Sequence, residues 1–283
     1  MKTQILYIAL LFLCCLSCTT ADDQIQNPEN AQGKNMLLMG NSFFRPYAEN
    51  LDHLVVDSGI AGHTSTLIFR GGENGRPINF WNDADSPEHQ QIKSTLEQGN
   101  VEFFGMTAGL LPENPTDGFK QWIDYAVEHN PDVIIFLSIP PIDFPENWNQ
   151  LAEDNGFSSI QELYYSFINQ TIHTTVVDQL RAEFPSTQIF TIPTGWATLN
   201  LAQMNLDNEL LDDITMFGPK PTSIFTDAKG HQGQIAIETG TLIWLNSLYQ
   251  VELETNTYNT GFNTDLHGLA KQIMNEHDSN YKQ

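Results

Sequence analysis

Ser42 stands in the string Gly40-Asn41-Ser42-Phe43-Phe44, directly after the apolar run Met36-Leu37-Leu38-Met39. A serine at a strand-to-helix turn projects its hydroxyl from the sheet edge, and the N–H groups of the helix start can stabilise an oxyanion there. That is a place for a nucleophile. It is also the place for a helix N-cap, so the string alone leaves both roles open. Far along the chain, Phe225-Thr226-Asp227-Ala228-Lys229-Gly230-His231-Gln232-Gly233 precedes an amphipathic helix. A hydroxyl becomes an effective nucleophile when a neutral imidazole takes its proton and a carboxylate fixes the imidazole's tautomer. Asp227 and His231 offer that pair from one loop. Read singly, they are a turn-forming Asp and a helix-capping His.

The elements that would have to bring these residues together follow from hydrophobic period. Met36–Met39, Thr66–Phe69, Val101–Met106, Val133–Leu137 and Gln188–Ile192 are short continuous apolar or β-branched runs, as strands buried on both faces should be. Between them lie helical patterns. Phe44, Tyr47, Leu51, Leu54 and Val55 recur at spacings of three and four. Ser86-Pro87-Glu88 is a helix start with a cap, a first-turn proline and an acid at the positive end of the dipole. Phe119–Val127 is helical, Ser159 and Glu162 suggest a capping box for a long helix through Leu180, and a last helix carries Ile235, Leu242, Leu245 and Leu248. Strands alternating with helices predict a three-layer α/β/α sandwich, flavodoxin-like, with about five parallel strands. Ligands of such sheets sit beyond the carboxyl ends of the strands, where Gly40–Ser42, Arg70–Gly75, Thr107–Gly109, Ser138–Asp143 and the loops after Pro193 lie.

Several other residues could contribute. Gly71-Gly72-Glu73-Asn74-Gly75-Arg76-Pro77 lacks the Gly-Lys-Ser/Thr ending of a phosphate loop and reads as an active-site loop whose glycines permit close backbone approach. Arg76 and Trp81 suit a subsite for an anionic group and a sugar face, or equally a surface Arg and a buried Trp. Asn41 and Asn74 are further candidates for substrate contact. Arg45 either binds an anion or pairs with an acid. Asp265-Leu266-His267 is a rival Asp/His pair in a polar C-terminal stretch. The eight His are scattered without metal-ligand spacing, and Asp83-x-Asp85 and Asp212-Asp213 read as solvated acids, so neither metal nor cofactor is expected. His63, His89, His129 and His173 read as structural.

Leu38-Met39-Gly40-Asn41-Ser42, Gly71-Gly72 and the Asp227/His231 pair together resemble the blocks of the SGNH/GDSL hydrolase family, across nearly all of the folded chain. The resemblance implies Ser42 as nucleophile, His231 as base, Asp227 as the orienting acid, and an oxyanion hole from the N–H groups of Ser42 and Gly71 or Gly72. It also implies ester hydrolysis, with deacetylation of polysaccharides common among members. Two departures stand out. Three residues separate Asp227 from His231, where the family usually has two. The family's third block usually ends in Gly-x-Asn-Asp, whereas the third strand here runs into Thr107-Ala108-Gly109 with no Asn before Asn114. Loss of one oxyanion donor costs about 10²- to 10³-fold in rate unless another group replaces it. Asn74, Asn79 and Asn114 are the asparagines near enough in sequence to do so.

Composition bounds the rest. The chain has 283 residues, 40% of them hydrophobic, enough for one sizeable core. Twelve basic against 35 acidic residues give a formal charge of −23, which repels nucleic acid. Lys2 followed by the apolar run Ile5–Leu16 reads as a secretory signal over residues 1–18, too short to span a bilayer. All three cysteines, Cys14, Cys15 and Cys18, lie at its end, and Leu16-Ser17-Cys18 resembles a bacterial lipobox with Cys18 as the lipidated residue. Removing the leader leaves no cysteine for disulfide, nucleophile or metal ligand. Residues 19–34 read as a flexible tether and 35–283 as a single hydrolase-like domain. The expectation is therefore an exported esterase acting on a small-molecule or polysaccharide ester, either held in the bacterial cell envelope and touching the membrane only through its lipid anchor or, with an ordinary signal peptide cut nearby, periplasmic or secreted. The rival class is a catalytically weak or inactive glycan-binding lipoprotein on the same fold.

Overall fold

The structure, a computed structural model, describes residues 32–109 and 114–283. The expected leader, the lipidation site Cys18 and the tether as far as residue 31 lie outside these. Five strands form one parallel sheet: β1 (Asn35–Gly40), β2 (Thr64–Phe69), β3 (Phe103–Thr107), β4 (Ile134–Ser138) and β5 (Ile189–Ile192), in the order β2-β1-β3-β4-β5. Met36 to Met39 are fully buried, because parallel strands inside a sheet are covered on both faces. The chain enters at the amino end of β1, where Gln32 bridges Ala61 and the Gly33 N–H donates to the Ala61 carbonyl at 2.9 Å. Residues 32–34, placed in the tether by composition, are thus bonded to the folded part at the amino end of the sheet.

From β1 the chain moves outward to β2 through α1 (Arg45–Asp57), then reverses across β1 to β3 through α2 (Pro77–Asn82) and α3 (Pro87–Leu96). Right-handed crossovers in opposite directions put their helices on opposite faces. One layer holds α1 with α8 (Trp196–Leu206), α9 (Gln234–Tyr249) and α10 (Leu266–Glu276), packed around α9. The other holds α2, α3, α4 (Phe119–His129) and the long helix formed by α6 (Ile160–Ser166), a π-helical stretch (Phe167–Val177) and α7 (Asp178–Glu183). This is the three-layer α/β/α sandwich read from the sequence. Its reversal point lies between β1 and β3, where such sheets open a crevice at their carboxyl ends.

Ser86 caps α3 by accepting from the His89 N–H at 3.2 Å, with Pro87 in the first turn. Ser159 caps α6 by accepting from the Glu162 N–H, while the Glu162 carboxylate reaches back to Ser158 rather than Ser159. Three elements carry no period long enough to read: α5 (Trp148–Asp154) and the strands β6 (Thr215–Phe217) and β7 (Ser223–Phe225), the last two paired in a small separate sheet. The C-terminal stretch, polar by composition, contains α10, whose Leu266, Ala270, Ile273 and Met274 are buried. Asp212, read as a solvated acid, instead accepts from the N–H and side chains of Asn263 and Thr264, fastening the stretch before α10. Those bonds outweigh the burial that would raise its pKa, and its carboxyl sits below the ordinary range.

Candidate functional site

Ser42 and His231 meet across the end of β1. Ser42 Oγ lies 2.8 Å from His231 Nε2, and His231 Nδ1 lies 2.6 Å from Asp227 Oδ2. The helix start does not occupy the Ser42 hydroxyl. Asn41 does that work: its side-chain oxygen accepts from the N–H groups of Phe43 (3.0 Å) and Phe44 (3.3 Å), and its carbonyl from Arg45. Asn41 therefore shapes the turn, although it also faces the adjoining cleft.

The three residues between Asp227 and His231 are accommodated by a tight reversal. The Thr226 N–H donates to the His231 carbonyl at 2.7 Å, and Phe225 bridges Gln232, closing the loop base. Within it, Asp227 Oδ1 accepts from the N–H groups of Gly230 (3.1 Å) and His231 (3.2 Å). The reversal turns at Gly230, whose φ of 97° lies in the left-handed region, with a would-be Cβ 2.9 Å from Pro145. Burial alone would raise the Asp227 carboxyl, but the His231 side chain and these N–H groups hold it below the ordinary carboxylate range. It is thus a carboxylate at neutral pH, able to fix the His231 tautomer and stabilise an imidazolium.

Two contacts that the sequence reading did not anticipate orient the imidazole. The Phe43 ring stacks on it, centroids 4.9 Å apart at 14°. Gln232 Nε2 donates to the Phe43 carbonyl at 3.0 Å, tying the His231 loop to the Ser42 loop. Both residues neighbour a site residue in sequence, which is the only signal that could have found them.

Beyond Ser42 opens a cleft of about 580 Å³. Asn41, Gly72, Arg76, Thr107, Ala108 and Lys229 are on its lining. Gly72 faces the cleft and Gly71 is exposed beside it. Gly75 lets this loop press on the turn that carries Ser42, since a Cβ there would sit 2.6 Å from the Gly40 carbonyl oxygen and 2.7 Å from Asn41 Cα. Lys229 Nζ lies 3.7 Å from Asp143, and Arg76 pairs with Glu73. Burial is the main influence on Asp143 and, reinforced by Glu73, pushes its carboxyl up against the opposing pull of Lys229 and His231.

Other expected site residues stand elsewhere. Trp81 is not on the cleft: its ring meets Trp122 edge-on at 4.8 Å and packs near His89, because α2 turns that face toward α3 and α4. Asn74 is exposed and off the lining, Asn79 donates to the Glu73 carbonyl at 2.5 Å, and Asn114 donates to Asp117 at 2.7 Å. The polar side chain at the end of β3 that does line the cleft is Thr107. Arg45 pairs with Glu49 at 2.6 Å and covers the Phe69 ring. The rival pair is split, since Asp265 caps α10 through the Gly268 N–H while His267 reaches Asn256. Among the described residues no group of three His, Asp or Glu side chains could hold a metal ion, and no helix is long and apolar enough to cross a membrane.

The chain matches no protein-family model and no curated protein. Among solved structures it is similar to the lipopolysaccharide acetyltransferase periplasmic domain of Salmonella ser. Paratyphi A. The two share 13% sequence identity at a TM-score of 0.36, over 59% of this chain and 68% of that chain.

Proposed function

We propose that this protein is an exported serine hydrolase that cleaves a carboxylic ester, with the O-acetyl carbohydrate esters implied by the SGNH/GDSL resemblance as the first substrates to try. The observation that carries the reading is the unbroken chain Ser42–His231–Asp227, with bonds of 2.8 and 2.6 Å. His231 Nε2 takes the Ser42 proton as Oγ attacks the ester carbonyl carbon. Negative charge then moves to the carbonyl oxygen, where the N–H groups of Ser42 and of Gly71 or Gly72 receive it. The imidazolium, steadied by Asp227, returns the proton to the departing alkoxide. Water repeats the sequence on the acyl-enzyme, releasing the acid and restoring Ser42.

Export and anchoring at Cys18 follow from the leader and its Leu-Ser-Cys end. They put the enzyme in the bacterial envelope, facing polysaccharide and small-molecule esters.

The test is labelling of residues 19–283 by a fluorophosphonate probe, beside Ser42→Ala and His231→Ala. Labelling that vanishes in both variants is expected. A correctly folded protein that never labels overturns the hydrolase reading and favours a glycan-binding module, a class consistent with the absence of a side-chain amide donor at the end of β3.

A further inference from the structure

Ester hydrolysis at Ser42 places a negative charge on the former carbonyl oxygen, and each donor aimed at that oxygen counts for about 10²- to 10³-fold in rate. The side chain at the end of β3 is spent elsewhere, since the Thr107 hydroxyl donates its one proton to the Ala108 carbonyl at 3.3 Å. Asn79 and Asn114 are likewise engaged with other partners. Two cations line the cleft, Arg76 and Lys229. Arg76 is held in a close ion pair by Glu73 of its own loop. Lys229 is held less closely. Among the described residues its Nζ has one ionic partner, Asp143 Oδ2 at 3.7 Å, which is longer than a hydrogen bond.

Lys229 stands two residues before His231, inside the loop that Asp227 closes. Its backbone is fixed there, because its carbonyl accepts from the Phe144 N–H at 3.0 Å. Apart from the residues adjoining Gly72 in the chain, Lys229 Nζ is the only heavy atom among the described residues within 4 Å of the place where a Cβ would stand on Gly72, at 3.8 Å. The same Nζ lies 5.8 Å from the centre of the Phe43 ring, which belongs to the residue after Ser42 and stacks on the His231 imidazole. One ammonium thus adjoins both the glycine loop and the immediate neighbour of Ser42. Its flexible four-carbon stem carries three rotatable donors, so it can follow a substrate oxygen as charge builds there.

We propose that Lys229 is a catalytic residue of this site, whose ammonium donates a hydrogen bond to the oxyanion and balances its charge beside the backbone N–H groups. The inference rests on Ser42 attacking an ester. As Ser42 Oγ bonds to the carbonyl carbon, the π pair moves onto the oxygen and the Ser42 proton goes to His231. Lys229 keeps its own proton throughout. When that pair re-forms the double bond, the alkoxide leaves with the proton from His231 and the contact to Lys229 weakens. The interaction is strongest when the charge is greatest, so its loss appears in kcat rather than in KM.

The experiment compares the parent enzyme with Lys229→Met and Lys229→Arg on p-nitrophenyl acetate, with fluorophosphonate labelling of Ser42 and circular dichroism on the same preparations. Lys229→Met should lose about 10²- to 10³-fold in kcat with KM within about threefold of the parent. Lys229→Arg, which keeps the charge, should recover about tenfold of that loss. A trifluoromethyl ketone, whose adduct with Ser42 carries the same oxyanion, should bind Lys229→Met more weakly by about the factor lost in kcat/KM. A folded Lys229→Met enzyme that keeps its kcat, loses activity through KM alone, or binds the ketone as the parent does overturns the role of Lys229 and leaves the hydrolase reading intact. A parent protein that never labels overturns the hydrolase reading and the role of Lys229 with it.

Discussion

Asp227 is the residue whose role can be separated most cleanly from those of its neighbours. Its carboxylate both accepts a hydrogen bond from His231 Nδ1 and closes its own loop through two backbone N–H groups. Asp227→Asn keeps the shape but favours the wrong imidazole tautomer, so kcat should fall about 10³- to 10⁴-fold with KM little changed. Steady-state kinetics on a chromogenic ester, with circular dichroism for fold, is the measurement. That Ser42, His231 and Asp227 would be neighbours was legible in the sequence, because a serine just after the first strand and an Asp/His pair in the loop before the last helix both fall at the loop ends of the sheet. The place of Trp81 was not, since a lone indole serves a core as well as a sugar, and only the packing of α2 on α4 decides which. Asn41 illustrates the same limit: its amide serves the turn that presents Ser42, a use that no spacing rule distinguishes from ligand contact.

At the scale of elements, the five strands were readable because strands covered on both faces must be continuously apolar. Their order was not, for it depends on which edges meet across long sequence separations. The small strands β6 and β7 are three residues each, below any detectable period, yet they carry the His231 loop. That loop makes Gly230 a sensitive position. Gly230→Ala forces a side chain into a left-handed turn against Pro145 and should shift His231, reducing kcat about 10²-fold; a Tm within a few degrees of the parent would locate the damage at the site.

The long helix widens into its π-helical stretch where Phe167 and Thr171 line the cleft, and its Thr174 and Thr175 hydroxyls donate to carbonyls five residues back. His173, in the same stretch, and His277, just after α10, both place Nε2 3.0 Å from the Thr191 hydroxyl on β5. Burial lowers the pKa of His173 to about 3, reinforced by His277 and Arg181, and that of His277 to about 4, reinforced by Lys282; Asp278 opposes both, as do the Thr191 and Tyr281 backbones at His277. Both are neutral at pH 7. As pH falls below about 6.5 the unfolded chain takes up these protons and the folded one does not, so stability drops progressively until pH reaches the folded values. Thermal unfolding between pH 7 and 4 should show this loss, and His277→Gln should flatten its slope.

For the molecule as a whole, charge is the dominant feature. Thirty-five acidic residues against 12 basic ones create a negative field that extends over a Debye length of about 10 Å at 0.1 M salt. Anionic esters should be hydrolysed slowly at low ionic strength and faster as salt rises, while a neutral ester of the same chain length stays level; paired kcat/KM measurements from 10 to 300 mM NaCl check this. The net charge was plain from composition, but its pairing along the cleft needed the fold. The entry of the chain at the amino end of β1 has an architectural consequence. Ser42 stands at the opposite end of that strand, six residues or about 20 Å away. For a chain held by a lipid on Cys18, the segment from 19 to 31 reaches at most about 45 Å. Such an anchor would join the folded part at the amino-end face of the sheet, opposite the face that carries Ser42.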